Sequence, residues 1–379
     1  HTVEVVSGQP YPILDKGVKL TKLPSLDLYS FDNPLKAFRF DLLKEPINLY
    51  EWLSHLSGGF SEPYTFGERM AIWGKENYKR FDVVHDNQTL AYGLIKLRDM
   101  GVPVVGTIHH PITMDKRIDI KHAETLSLKL LKWRWYSFLK MQIKVARKLD
   151  PIIVVSENTR KDVVKDFKID PKKTRKVLHG IDHKTFEPIP SIERKKNQLI
   201  TTASADVPLK GLIYLIRAYS ELLNEFPDLS LVVIGKLRDG PTSNELDKKD
   251  IKNKVKFISD LTSREIAELY AESTIAISPS VYEGFGFPAG EAMSCGIPLI
   301  STNGGSLPEV VGNSGIIVPH SNPNELRKAI KELLLSPEKR KELGEKGRKR
   351  VLEKFTWKRA AKELVEVYRE AISNADNRS

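Results

Sequence analysis

"TIAISPSVYEGFGFPAGEAMSCGIPLIST", residues 274–302, decides the fold. Its ends are short runs rich in β-branched residues. Between them lie a glycine-rich loop and a segment opening near Pro288, a residue suited to a helix's first turn because its missing N–H costs nothing there. Strand, loop, helix and strand in this order are the unit of a parallel sheet with crossover helices. The same alternation extends both ways. "QLITTAS", helical "GLIYLIRAYSELLNEF", "LSLVVIG", "VKFIS" and helical "SREIAELYAES" precede the stretch, and "GIIVP" follows it. Thr262 with Glu265, and Ser306 with Glu309, have capping-box spacing and so fix two helix starts; for Glu309 a ligand role is the alternative.

Further upstream, "FDVVHD", "VPVVGTIHH" and "PIIVVSEN" read as strands with polar residues at their carboxyl ends, the edge where open α/β sheets bind ligands. The Pro- and charge-rich "HGIDHKTFEPIPSIERKKNQ" marks a boundary, giving an N-terminal domain over 1–187 and a C-terminal domain over 188–356. The closing segment, "FTWKRAAKELVEVYREAI", is apolar at helical period and needs a surface on which to dock.

Length and composition agree with this division, since 379 residues leave room for two domains that each bury a core. Hydrophobic content of 40% and charged content of 29% are those of a soluble globular chain, and no run reads as membrane-spanning or as a signal peptide. A single cysteine, Cys295, excludes an internal disulfide framework and a cysteine-rich zinc site. With no Asp-x-Asp triplet, Cys/His cluster or Walker pattern, neither a metal nor another resident cofactor is expected. A cytoplasmic protein is the resulting expectation. The 60 Lys and Arg against 49 Asp and Glu, net +11, favour anionic partners, but no nucleic-acid module accompanies the charge.

The opening stretch carries chemistry. Glycines 284 and 286 let the backbone turn sharply and leave amides unpaired ahead of a helix, where a phosphate binds cheaply. Glu291, one turn into that helix, can accept hydrogen bonds from a ribose diol, and Glu283 can do the same for a hexose. The competing readings are an acid that complements the helix dipole and a solvated loop acid. Lys210, in "SADVPLKGL", opens another helix, where a cation is unfavourable unless an anion such as a diphosphate pairs with it; a solvated lysine is the alternative. "GFGFPA" also matches the dinucleotide fingerprint G-x-G-x-x-A, although the next strand ends in Thr302 and Asn303 and lacks the ribose-binding acid. His109 and His110 close a strand, in a structural or a catalytic role. The basic aromatic run "KWRWYSFLKMQIKVARK", within a helical stretch over 121–148, reads either as a helix lying on an anionic membrane or as a core helix with a solvated basic face.

Glu283 and Glu291, with seven residues between them inside "PSVYEGFGFPAGEAMSCGIPLISTNGGSLPEVV", resemble the E-x7-E signature of retaining glycosyltransferases of family 4. "DVVHDN", "PVVGTIHHP", "IIVVSENTRKDV", "VLHGIDHKTFEP", "PLKGL", "LVVIGK", "VKFISDLTSREIAELYAES" and "FTW" follow that family's order over nearly the whole chain. The resemblance implies the GT-B fold: two Rossmann-like α/β/α domains facing across a cleft, with the terminal helix over 357–379 crossing back to the N-terminal domain. It also implies that Glu283 binds donor-sugar hydroxyls, Glu291 the ribose and Lys210 the diphosphate. Loop amides at Phe285, Gly286 and Phe287, beside Gly284, would contact sugar and phosphate, and His109 would lie near the donor sugar. Departures exist. Where the family usually carries an arginine five residues before the lysine, this chain has Ala205, flanked by Ser204, assigned to donor binding, and by Asp206; His179-Gly180 replaces Asn-Gly. "HTVEVVSG" resembles the family's second strand, so the expectation is that the family's first strand and glycine-rich acceptor-side loop are missing ahead of His1, either because the sequence is a fragment or because that unit is absent, which bears on acceptor binding.

The resulting expectation is a retaining glycosyltransferase that moves a hexose from a nucleotide diphosphate sugar to a hydroxyl acceptor. That acceptor would be a lipid or glycan at the membrane surface, with the enzyme peripheral on the inner face of the cell membrane. The alternatives are an NAD-dependent oxidoreductase using "GFGFPA" and a non-catalytic sugar-nucleotide-binding protein.

Overall fold

The computed structural model describes every residue except 32, 34, 36, 37, 39, 41–43, 204–206 and 377–379. By its internal packing the chain divides into two units, residues 1–153, 162–175 and 365–379 in the first and 154–161 and 176–364 in the second.

In the first unit, Glu4–Ser7 (β1) and Lys19–Lys22 (β2) pair only with each other, in parallel, with Glu4 opposite Lys19. Val84–Asn87 (β3), Val104–Ile108 (β4), Ile152–Val154 (β5) and Thr174–Lys176 (β6) form a second sheet in that order. The helices are Pro46–Leu56 (α1), Glu62–Asn77 (α2), Tyr92–Asp99 (α3), Thr113–His122 (α4), Leu126–Trp135 (α5), Leu139–Ala146 (α6) and Glu157–Phe167 (α7), the last belonging to this unit only from Asp162. All five residues of β4 are buried, as the run "VVGTI" requires of a strand covered on both faces. Helices α2 and α3 meet backbone to backbone: a Cβ on Gly93 would stand 1.9 Å from the Gly67 carbonyl oxygen.

The helical stretch expected over 121–148 is broken. Thr125 caps α5 by accepting from the Leu128 amide, and a 3₁₀ turn at Tyr136–Phe138 separates α5 from α6. Tyr136, Phe138 and Leu139 form a buried cluster, and Trp135 stacks on Phe60 with ring centroids 5.0 Å apart. Those aromatics belong to the interior. The exposed apolar and basic residues lie on α5.

The second unit is a parallel sheet covered on both faces. Its strands are Gln198–Thr202 (β7), Ser230–Ile234 (β8), Val255–Ile258 (β9), Ile275–Ser278 (β10), Leu299–Thr302 (β11) and Ile316–Val318 (β12), in the order β12-β11-β10-β7-β8-β9. Each neighbouring pair is parallel. Helices Leu212–Leu222 (α8), Pro241–Lys248 (α9), Ser263–Glu272 (α10), Phe287–Ser294 (α11), Leu307–Val311 (α12), Pro323–Leu335 (α13), Pro337–Lys354 (α14) and Trp357–Asp376 (α15) follow the strands. Side chains alternate between faces with the period of two that a strand imposes. Leu199, Leu231, Val233, Ile275 and Ile277 join α8, α9 and α13 in one core, while Ile200, Val232, Ile234 and Ala276 join α10, α11 and α12 in the other.

Thr262 and Glu265 form the expected capping box on α10. Ser306 and Glu309 do not: the Ser306 hydroxyl bonds the Glu283 and Phe285 carbonyls, and Glu309 accepts from the Glu157 amide at 2.6 Å and from Lys176 at 2.8 Å. The boundary placed after residue 187 falls inside the second unit, because Ile181 and Phe186 lie in its core and the Ile181 amide donates to the Phe355 carbonyl at 2.7 Å. Along α15, residues through Leu364 belong to the second unit and those from Val365 to the first.

Candidate active site

The site in the second unit grows from the carboxyl ends of β7, β10 and β11. After β7 the chain reaches a 3₁₀ turn, Pro208–Lys210, that ends in left-handed Gly211 (φ 63°). Gly211 leads directly into α8 and stands so close to the chain after β10 that an added Cβ would lie 2.2 Å from the Pro279 carbonyl oxygen. The Val281 amide donates to the Leu209 carbonyl at 2.7 Å. Two loops far apart in sequence are thus hydrogen-bonded backbone to backbone.

That contact places Lys210 and Glu283 together: Lys210 Nζ lies 2.7 Å from Glu283 Oε1, and Ser280 Oγ donates to the same oxygen at 2.7 Å. The anion that a lysine at a helix start requires is therefore present within the protein as a carboxylate. The loop after β11 holds the Glu283 backbone, whose carbonyl accepts from the Ser306 amide at 2.9 Å and the Ser306 hydroxyl at 3.1 Å. Gly305 (φ 60°) permits this approach, since a Cβ there would stand 2.2 Å from the Glu283 carbonyl oxygen. On the other side, the Gly284 carbonyl accepts from Ser156 Oγ at 3.0 Å and Thr159 Oγ1 at 3.2 Å.

Past Glu283 the backbone bends into α11 through Gly286 (φ 99°), where an L side chain would be strained and a Cβ would meet Leu307 at 2.7 Å. Among the described residues, the amides of Gly284, Phe285, Gly286 and Phe287 have no backbone acceptor. A row of unpaired amides ahead of a helix dipole is a site for an anion. Phe285 is buried edge-on to His179, and Phe287 stacks on His179 with centroids 5.1 Å apart, so the loop is fixed by its rings. Glu291, one turn into α11, is half-buried, and burial pushes its carboxyl up to about 7. It takes no hydrogen-bond partner among the described residues, which leaves its acceptor oxygens for a ligand.

Lys210, Glu283, Gly284, Phe285, Gly286, Phe287 and Glu291 are thus brought together. Ser204 lies outside the described residues. His109 belongs to the first unit, just past β4; Gln88 Oε1 accepts from its amide at 2.5 Å and Asn87 Oδ1 bonds its Nε2 at 2.6 Å. Burial, and then neighbouring His110, hold the His109 imidazole below its ordinary value, so it is neutral at pH 7. Ser280 and Gly305 carried no expected role and Ser306 only a helix-capping one, although "STNGGS" has the glycine pair that signals close backbone approach.

The family model described as Glycosyl transferases group 1 matches residues 184–350, and that of Glycosyltransferase Family 4 matches residues 1–185. The chain is 41% identical over 378 residues to an MMP alpha-(1->4)-mannosyltransferase from Mycolicibacterium hassiacum, covering 98% of this chain and 91% of that protein. It is 27% identical to a D-inositol 3-phosphate glycosyltransferase from Streptomyces bingchenggensis, over 80% of this chain and 70% of that one. Among solved structures, sucrose-phosphate synthase from Thermosynechococcus elongatus superposes with a TM-score of 0.72 at 19% identity, over 98% of this chain and 90% of that one. Anabaena Alr3699/HepE, in complex with UDP and glucose, gives 0.69 at 16% identity, over 93% and 87%.

Proposed function

Because the chain belongs to glycosyltransferase family 4 and is a glycosyltransferase of the GT-B fold, we propose that it transfers mannose, with retention, from a nucleotide diphosphate mannose to a carbohydrate hydroxyl. The observation that carries the choice of sugar is the 41% identity to a mannosyltransferase over 98% of the chain. By the same likeness, the first acceptor to test is a mannoside with a free 4-hydroxyl. The oxidoreductase reading of "GFGFPA" falls away with the family assignment.

In this mechanism the amides of residues 284–287 and the Lys210 ammonium stabilise charge building on the departing diphosphate. Lys210 must then share itself between the diphosphate and Glu283. Glu283 is held by Ser280 and Lys210 on one carboxylate oxygen, which directs its other oxygen to sugar hydroxyls. Glu291 accepts the ribose diol. No step requires a resident metal or other cofactor.

A screen of nucleotide sugars against a mannoside acceptor, read by mass spectrometry and by the anomeric coupling of the product, tests the reading. Glu283→Ala is expected to lower transfer at least ~100-fold with circular dichroism unchanged. Wild-type turnover by that variant removes Glu283 from the site. Donor binding by the wild type without hydrolysis or transfer to any acceptor would favour the non-catalytic binding protein.

Helix α5 supports a place at an anionic membrane surface. No helix among the described residues is long and apolar enough to cross a membrane. Leu126, Leu130 and Trp133 are 74%, 63% and 55% exposed, and Lys129, Lys132 and Arg134 share their helix, the composition of an interfacial helix. Cosedimentation with vesicles containing acidic lipid is expected for the wild type and lost in Leu130→Glu/Trp133→Glu. Equal sedimentation of both proteins would refute it.

A further inference from the structure

The second unit contains a cavity of about 1090 Å³ at the amino ends of its strands, opposite the edge that carries Glu283. Asn197, Thr274 and Pro298, which precede β7, β10 and β11, line it, and α14 forms its wall. Gly344 lets that helix sit against the turn after α11, since a Cβ there would lie 2.3 Å from the Gly296 carbonyl oxygen.

The lining is strongly cationic. Seven Lys and Arg face it against two acids, Glu345 and Glu353, whereas the whole chain has 60 against 49. Three of the cations are arginines fixed by main-chain carbonyls. Arg194 donates to the Ser273 and Gly296 carbonyls at 3.2 and 3.1 Å, Arg340 to Leu334 at 2.9 Å, and Arg348 to His183 and Phe186 at 3.0 Å each. Among the described residues none of the three pairs with a carboxylate, and neither do Lys196 and Lys341. Carbonyls orient a guanidinium without neutralising it, so the cavity holds pre-set positive charge with donors to spare. Beside the polar Asn197 and Thr274, the lining carries aliphatic side chains at Pro188, Pro298, Leu334, Pro337 and Leu352. Among the described residues no aromatic ring faces the cavity, which leaves no ring there for a nucleobase or a sugar face to stack on.

We propose that this groove is a second ligand site, separate from the donor site, that binds a phosphate or diphosphate carrying an aliphatic chain. The head group lies among Arg194, Arg340 and Lys341, and the chain runs along Leu334, Pro337 and Leu352. The volume exceeds what an inorganic phosphate fills and lies at the upper end of small-molecule sites. The proposal does not depend on the identity of the transferred sugar.

Isothermal titration of the whole protein with decyl phosphate, below its critical micelle concentration, tests it. Pyrophosphate and decanol serve as the head-only and chain-only controls. Decyl phosphate is expected to bind at least tenfold more tightly than either control. Lys341→Glu/Lys349→Glu, which changes exposed lysines and spares the carbonyl-bound arginines, is expected to weaken it at least tenfold. Leu352→Asp, also at an exposed position, is expected to weaken decyl phosphate and leave pyrophosphate unchanged. A parallel arm uses vesicles containing phosphatidic acid; binding to vesicles and to monomeric decyl phosphate, both lost in the lysine variant, assigns the source to a lipid head group, and monomer binding alone assigns it to a soluble phosphate. No decyl phosphate binding, equal binding of pyrophosphate, or binding unaffected by charge reversal overturns the proposal.

Discussion

Glu291 stands half-buried with its carboxyl raised to about 7 from an ordinary 4.5, and burial is the cause. Folding therefore increases this group's hold on a proton. Its contribution to stability is greatest below pH 4.5, declines as pH rises to about 7, and stays at its lowest above that. Glu291→Gln is accordingly expected to raise the unfolding free energy at pH 8, by roughly 1–3 kcal/mol, and to change it little at pH 4, as read by urea titration. Donor affinity should move in the opposite sense. A ribose diol donates to the ionised carboxylate, so wild-type binding is expected to weaken between pH 8 and pH 6, and the Gln variant to bind weakly at both, in fluorescence titrations. At this scale the sequence identified the acids and the lysine but not their pairing. Lys210 and Glu283 are 73 residues apart, and the ion pair exists only because the Leu209 carbonyl reaches the Val281 amide.

Local signals specified the strands and helices well, and the exceptions have one cause. The α10 capping box is complete within four consecutive residues and forms as its spacing predicts; Thr262→Ala is expected to cost about 1 kcal/mol of stability and leave transfer unchanged. The same spacing at Ser306 fails because its hydroxyl is taken by carbonyls 21 and 23 residues earlier, at Phe285 and Glu283. Such a contact depends on β10 and β11 lying side by side, and no local pattern reports it. Gly305→Ala tests this loop-to-loop contact. With φ at 60° and the Glu283 carbonyl 2.2 Å from the added carbon, the variant is expected to lose roughly 1–3 kcal/mol of stability and most donor affinity together, by thermal melts and titration. In α5 and α6 the sequence pattern also misled. Residues 132–140, "KWRWYSFLK", mix basic and aromatic side chains with no Gly or Pro to mark a break, but the turn at Tyr136 sends Tyr136 and Phe138 inward and leaves Trp133 outside.

At the scale of the whole chain, α15 joins both units. Its last turns complete the first: Val367 and Ala371 are buried, the Tyr368 hydroxyl bonds His85 Nδ1 at 2.7 Å, and Glu370 accepts from Arg175 Nε at 2.8 Å. Ending the chain at Leu364 is expected to make residues 1–153 susceptible to limited proteolysis while 176–364 resist it. Equal resistance of both would show that the helix end adds nothing to the first unit. The sequence by itself determined the two parallel-sheet regions, most element starts, the phosphate-suited glycine loop and the E-x7-E acids, because periodicity, capping and turn chemistry act over a few neighbouring residues. The tertiary structure alone decided that Lys210 pairs with Glu283, that Ser306 holds the Glu283 backbone rather than capping its own helix, that residues 176–187 pack with the second unit, and that unneutralised arginines face one groove. Each of these depends on segments brought together by the sheet, and a hydrogen bond or ion pair is set by distance in space, which spacing along the chain does not encode.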